Sequence, residues 1–87
     1  MNKPNKFDRL LDNYGRIIRW PKKQAEQMQV LKYLRTKFQS GKQYTESEIN
    51  IILNEWHTFG DYALLRRMMY DTYLLERTPD CRVYWFK

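Results

Sequence analysis

One cysteine, one histidine, three glycines and three prolines are all that the 87 residues contain of those types. Cys81 has no partner for an internal disulfide, which fits a reducing compartment. Cys81 and His57 together fall short of a four-ligand zinc set. No base stands beside a nucleophile in the pattern that covalent catalysis needs. The glycines are dispersed, so no phosphate-cradling loop is present. No stretch approaches the roughly 20 apolar residues of a membrane span. The basic opening segment MNKPNKFDRLLDNYG lacks the apolar run of a secretory signal. These absences predict a cytoplasmic protein with no catalytic residue, cofactor, metal site or small-molecule substrate.

Aromatics and positive charge are abundant. Tyr, Phe and Trp make up 16% of the chain, enough to fill much of a small core. The net charge of +6 favours a polyanionic partner. That charge is unevenly spread. Residues 1–43 hold 11 Lys/Arg against 3 Asp/Glu, whereas residues 44–87 hold 5 against 7.

Residues 1–14 are expected to form an arm, with a short helix over 5–12 that places Phe7, Leu10 and Leu11 on one side. Asn13-Tyr14-Gly15 has turn chemistry, and the β-branched run after it predicts a short strand near 16–19. A single domain is expected over 15–87. Pro21 suits a helix start, and Gln27, Val30, Leu31, Leu34 and Phe38 share one face of a helix over about 22–38. Gly41 is placed to end it in a left-handed conformation.

Thr45-Glu46-Ser47-Glu48 is a capping box opening a helix over about 46–57, with Ile49, Ile52, Leu53 and Trp56 inward and Ile51 outward. His57 stands at its C-terminal end as a local cap, where an imidazolium also suits the helix dipole. Asp61 or Thr58 can cap a third helix, about 61–72. Leu65, Met68, Met69 and Thr72 form its inner face, and the two methionines read as core filling. Residues 74–77 and 82–86 predict strands joined by Thr78-Pro79-Asp80-Cys81, a type I turn.

Helix, turn, helix and hairpin in that order predict an α+β winged helix-turn-helix. The chain also carries Trp20-Pro21-Lys22-Lys23, Tyr44-Thr45-Glu46-Ser47-Glu48-Ile49-Asn50, Trp56-His57-Thr58-Phe59-Gly60-Asp61-Tyr62, Leu65-Arg66-Arg67 and Arg77-Thr78-Pro79-Asp80. Together these resemble the prokaryotic family named domain of unknown function 2087, from about Gly15 to Trp85. The resemblance implies a winged-helix fold, attached in some members to transcription-factor modules, and implies no established activity. Members usually have Gly where this chain has Cys81. A non-Gly residue is penalised in a left-handed conformation, so a remodelled turn is expected.

In such a fold the second motif helix usually enters the major groove, and the wing touches the backbone. Helix 61–72 is therefore the expected recognition helix of a DNA-binding regulator. Its outer face carries Tyr62, Ala63, Arg66, Arg67 and Tyr70. Arginine can pair bidentately with a guanine edge or a phosphate. Arg82 on the wing and Lys22 and Lys23 are candidate backbone contacts, and each phosphate contact steepens salt dependence. Arg67 also stands four residues before Asp71, at ion-pair spacing. The alternative is a protein-docking or homodimerisation module, with Ile51, Leu64 and Tyr70 as exposed candidates.

Overall fold

In the computed structural model, which describes residues 6–87, a 3-10 helix (Lys6–Leu10) leads into five further elements. These are α1 (Gln24–Arg35), α2 (Glu46–Glu55), α3 (Tyr62–Asp71), β1 (Leu75–Arg77) and β2 (Tyr84–Phe86). Three helices followed by an antiparallel hairpin give an α+β layout consistent with a winged helix. The first five residues of the expected arm lie outside the described residues. The rest of that arm makes the 3-10 helix, and Leu11 already bridges to Ile17.

α1 is shorter at both ends than the expected 22–38. Pro21 is fully buried and precedes the helix, and Lys23 caps it without a side-chain hydrogen bond. Gln27, the polar member of the inward face, donates from Nε2 to the Pro21 carbonyl at 2.8 Å. Val30, Leu31, Leu34 and Phe38 are buried as their spacing predicts. Gly41 does adopt a left-handed φ of +76°, but not as the helix cap. It lies in the following turn and donates its N–H to the Phe86 carbonyl at 3.2 Å.

The short strand expected near 16–19 does not form. Asp12 N–H reaches the Arg16 carbonyl at 2.9 Å and Ile18 N–H the Leu10 carbonyl at 2.8 Å, folding the segment back on the arm. On its other side Ile17 N–H donates to the Trp56 carbonyl at 2.8 Å, and Thr58 N–H donates to the Ile17 carbonyl at 2.9 Å. Its backbone is thus satisfied by single bridges to two neighbours instead of a ladder. The strand-like partner of the hairpin is Tyr44, between α1 and α2. Tyr44 and Tyr84 exchange both backbone hydrogen bonds at 2.8 Å each, and Ser40 bridges to Phe86.

The capping box of α2 is present in both directions. Glu48 N–H donates to Thr45 Oγ1 at 3.1 Å, and Thr45 N–H donates to Glu48 Oε1 at 2.9 Å. Ile49 and Leu53 face the core, with Ile52 and Trp56 packed at its edge and Ile51 58% exposed. His57 then closes the turn between α2 and α3. It is only 4% exposed. Its Nδ1 lies 2.6 Å from the Leu53 carbonyl, and its Nε2 accepts the Asp61 N–H at 2.9 Å. A carbonyl only accepts, so the proton sits on Nδ1 and the ring is the neutral tautomer. His57 is a cap, as expected, but serves two helices at once.

Asp61 caps α3 by accepting the Leu64 N–H at 3.2 Å. Leu65 and Met69 are fully buried beneath it. At its other end Leu74 N–H reaches the Met69 carbonyl at 3.0 Å and Tyr73 N–H the Tyr70 carbonyl at 3.1 Å. Those two bonds form a Schellman motif, with Tyr73 at φ +64° where glycine is usual. Leu74 is consumed by this cap, which is why β1 begins one residue later than expected. The hairpin turn keeps a left-handed residue as well. Cys81 adopts φ +61° and donates its N–H to the Thr78 carbonyl at 3.0 Å, so the left-handed conformation is adopted without glycine. Arg82 N–H is taken by Asp80 Oδ1 and Val83 N–H by Thr78 Oγ1, which delays β2 to Tyr84.

Candidate functional site

α3 and the hairpin face one another across a cleft of about 300 Å³, lined by Glu46, Arg66, Arg67, Tyr70, Arg77, Cys81 and Tyr84. The strand pattern explains the hairpin's share of it. Leu75 is buried, so Arg77, two residues on, points to the same side. Tyr84 is Arg77's partner in the register and therefore shares that side. Cys81, at the end of the hairpin turn with a φ of +61°, lines the cleft beside them.

The two adjacent arginines of α3 have different environments. The Arg66 side chain is only 21% exposed, with Nη2 3.0 Å from Glu46 Oε1. Its Nη1 donates to Asn50 Oδ1, and its guanidinium lies 5.9 Å from the Tyr62 ring centre. Both anchoring residues belong to α2, so Arg66 fastens the two helices together. The Arg67 side chain is 82% exposed, and among the described residues its one salt bridge is the expected one to Asp71, at 3.8 Å. Tyr62, Ala63 and Tyr70 are exposed around it.

Arg77 escaped sequence reasoning, although the alternation of Leu75-Glu76-Arg77 could have placed it on the inner side of the hairpin. Its guanidinium stacks 4.5 Å above the centre of the Tyr70 ring. Its Nη1 contacts Cys81 Sγ. Among the described residues it has no salt bridge to a carboxylate. Burial, and then the negative charge of Glu46, hold the Tyr84 phenol above its ordinary pKa, against a smaller opposing effect of Arg66 and Arg77.

The structure does not gather every expected basic residue. Arg82 follows Cys81 at the hairpin tip, exposed and 3.8 Å from Asp80. Lys22 and Lys23 lie elsewhere. Met68 of α3 and its C-cap residue Thr72 face Gln24, Gln27, Met28 and Leu31 of α1. A helical period of about 3.6 residues puts Met68 and Thr72 nearly opposite Arg67 and Tyr70. The first turn of α1, immediately after Lys22 and Lys23, thus approaches α3 from behind.

Of the residues expected for docking, Ile51 and Tyr70 are exposed, whereas Leu64 is half-buried. β2 buries Tyr84 and Phe86 and leaves Trp85 half-covered. Among the described residues no group of three or more His, Cys, Asp or Glu side chains could hold a metal ion. None of their helices is long and apolar enough to cross a membrane.

The fold and the cleft define a small α+β domain of winged-helix layout, with a cationic face between its third helix and its hairpin. The family described as "Uncharacterized protein conserved in bacteria (DUF2087)" matches residues 16–86, and the chain belongs to that family. No curated protein and no solved structure matches it significantly.

Proposed function

We propose that the domain binds duplex DNA as part of a transcriptional regulator, with α3 toward the major groove and the hairpin toward the backbone. The observation that carries this reading is the convergence of Arg67 on α3 and Arg77 on β1 upon one cleft. Arg82 stands beside it at the hairpin tip. These three cations come from the half of the chain that is acidic overall, so folding concentrates what the sequence disperses.

Arg67, with Tyr62, Ala63 and Tyr70 around it, is assigned the groove-facing role, while Arg66 holds α3 at its angle to α2. Arg82 contacts backbone phosphate. Lys22 and Lys23 act only if DNA wraps past α1.

Gel retardation at low ionic strength, where electrostatics are least screened, tests the proposal. Arg67→Ala combined with Arg82→Ala should weaken retardation strongly, and Lys22→Ala much less. A wild-type domain that shifts no duplex at low salt sinks the reading. If it then sediments as a dimer that Ile51→Asp dissociates, protein docking takes its place.

A further inference from the structure

We propose that the cleft between α3 and the hairpin seats a phosphate group, with Arg77 as its fixed cation and Arg67 as its movable one. The inference goes beyond DNA binding, because it concerns the chemistry of one cleft whichever molecule carries the phosphate. A duplex backbone is one source and a free phosphoryl compound is the other.

Arg77 is the central observation. It is half-buried, and no carboxylate neutralises it among the described residues. Partly desolvating a cation without a counter-charge is unfavourable, and an incoming anion relieves it. Its orientation is already set by the stack on Tyr70 and the contact with Cys81 Sγ. A planar guanidinium held this way presents its remaining N–H groups as a preformed fork suited to phosphate oxygens.

The other walls complete the site. Glu46 lines the cleft, but its carboxylate is 3.0 Å from Arg66, so that pair is close to neutral. Arg67 stands on the helix side, and its contact with Asp71 is long and solvated. Contacts of that kind contribute little, so Arg67 can turn to an anion at small cost. Tyr70, Tyr84 and Cys81 supply apolar surface, which strengthens hydrogen bonds to an anion by excluding water. The volume of about 300 Å³ is at the small end of ligand sites. It suits a single phosphate better than a bulky organic molecule.

The test is an NMR titration of the full 87-residue chain with inorganic phosphate, with acetate at matched ionic strength as the control. Phosphate should shift the Arg77 side-chain Nε signal and the Cys81 and Arg82 amides saturably. Arg77→Gln should weaken the apparent affinity by roughly tenfold or more, the loss of one charge-assisted contact. Arg67→Gln, on an exposed helix position, should weaken it severalfold, and Lys22→Gln should leave it unchanged. An equal response to acetate, or no saturable shift in the wild type, overturns the proposal without touching the retardation result. If phosphate also displaces a duplex, and Arg77→Gln lowers the salt slope of duplex binding by about one, the phosphate is that of DNA. If phosphate saturates the site while the duplex neither binds nor competes, the DNA reading fails and a free phosphoryl compound is the source.

Discussion

Arg66 of α3 and Glu46 in the first turn of α2 lie 3.0 Å apart. With Asn50 on the same guanidinium, the contact sets the angle between the helix-turn-helix pair. Arg66→Met should therefore destabilise the domain by about 1–2 kcal/mol, from one partly screened ion pair and one hydrogen bond. Arg67→Met, at a solvated position, should change stability by less than about 0.5 kcal/mol. Urea unfolding of the two variants checks this, and equal losses would refute the division of roles.

Tyr73 is a tyrosine in a glycine's place. It is 76% exposed, and its left-handed φ carries a steric penalty. Tyr73→Gly should raise stability by roughly 0.5–1 kcal/mol after the greater flexibility of unfolded glycine is subtracted. For a domain of this size that is an increase of several degrees in Tm, about 4–8 °C per kcal/mol. Cys81→Gly should gain less, because it removes the half-buried sulfur that Arg77 touches. Thermal unfolding of both variants decides between them.

His57 joins two helices by hydrogen bonds from both ring nitrogens. His57→Ala would leave the Asp61 N–H without its partner, would leave the Leu53 carbonyl with the Trp56 N–H alone, and would open a cavity against Phe59, whose ring centre is 4.7 Å away. The expected loss is about 2–4 kcal/mol. His57→Phe should recover little of it, since the volume returns without the two bonds. A Phe variant as stable as wild type would show that packing alone matters there.

Glu48 predicts an acid limb in the stability profile. The Thr45 backbone N–H, and then the Thr45 side chain, hold its carboxyl below the ordinary value of 4.5. A folded pKa lower than the unfolded one stabilises the fold above the unfolded value. That contribution is lost as the pH falls through the folded value. Glu48→Gln should thus be less stable than wild type near neutrality, and the gap should close on acidification below 4.5. A gap that stays constant with pH would show that charge plays no part in the capping box.

What the sequence disclosed depended on the range of each interaction. The capping box, the Asp61 cap and the hairpin turn are made by side chains within a few positions of one another, and all three were legible. The buried faces followed from periodicity, so Ile49, Leu53, Leu65 and Met69 were found. Tyr44 was not recognised as a strand partner, because its pairing with Tyr84 depends on tertiary placement. Arg66 looked like Arg67 because no local pattern reveals that Glu46 and Asn50 of another helix will claim it. Tyr73 was hidden for a different reason. Its left-handed cap is closed by the Leu74 N–H on the Met69 carbonyl, with Leu74 packed against the core, against the preference of its own side chain.

The bridge from Ile17 to the α2–α3 turn has a kinetic consequence. It joins a residue preceding α1 to residues following α2, so it encloses two helices in one loop. Closing so long a loop costs chain entropy before its contacts repay it. The helices can therefore form early, and the Arg66 contact can bring α2 and α3 together, while the backbone clamp on the turn between them closes only when the N-terminal segment docks. A fragment beginning at α2 would retain the sequence of the helix-turn-helix unit without the backbone clamp that orients it. In this domain the geometry of the exposed face depends on the segment farthest from it along the chain.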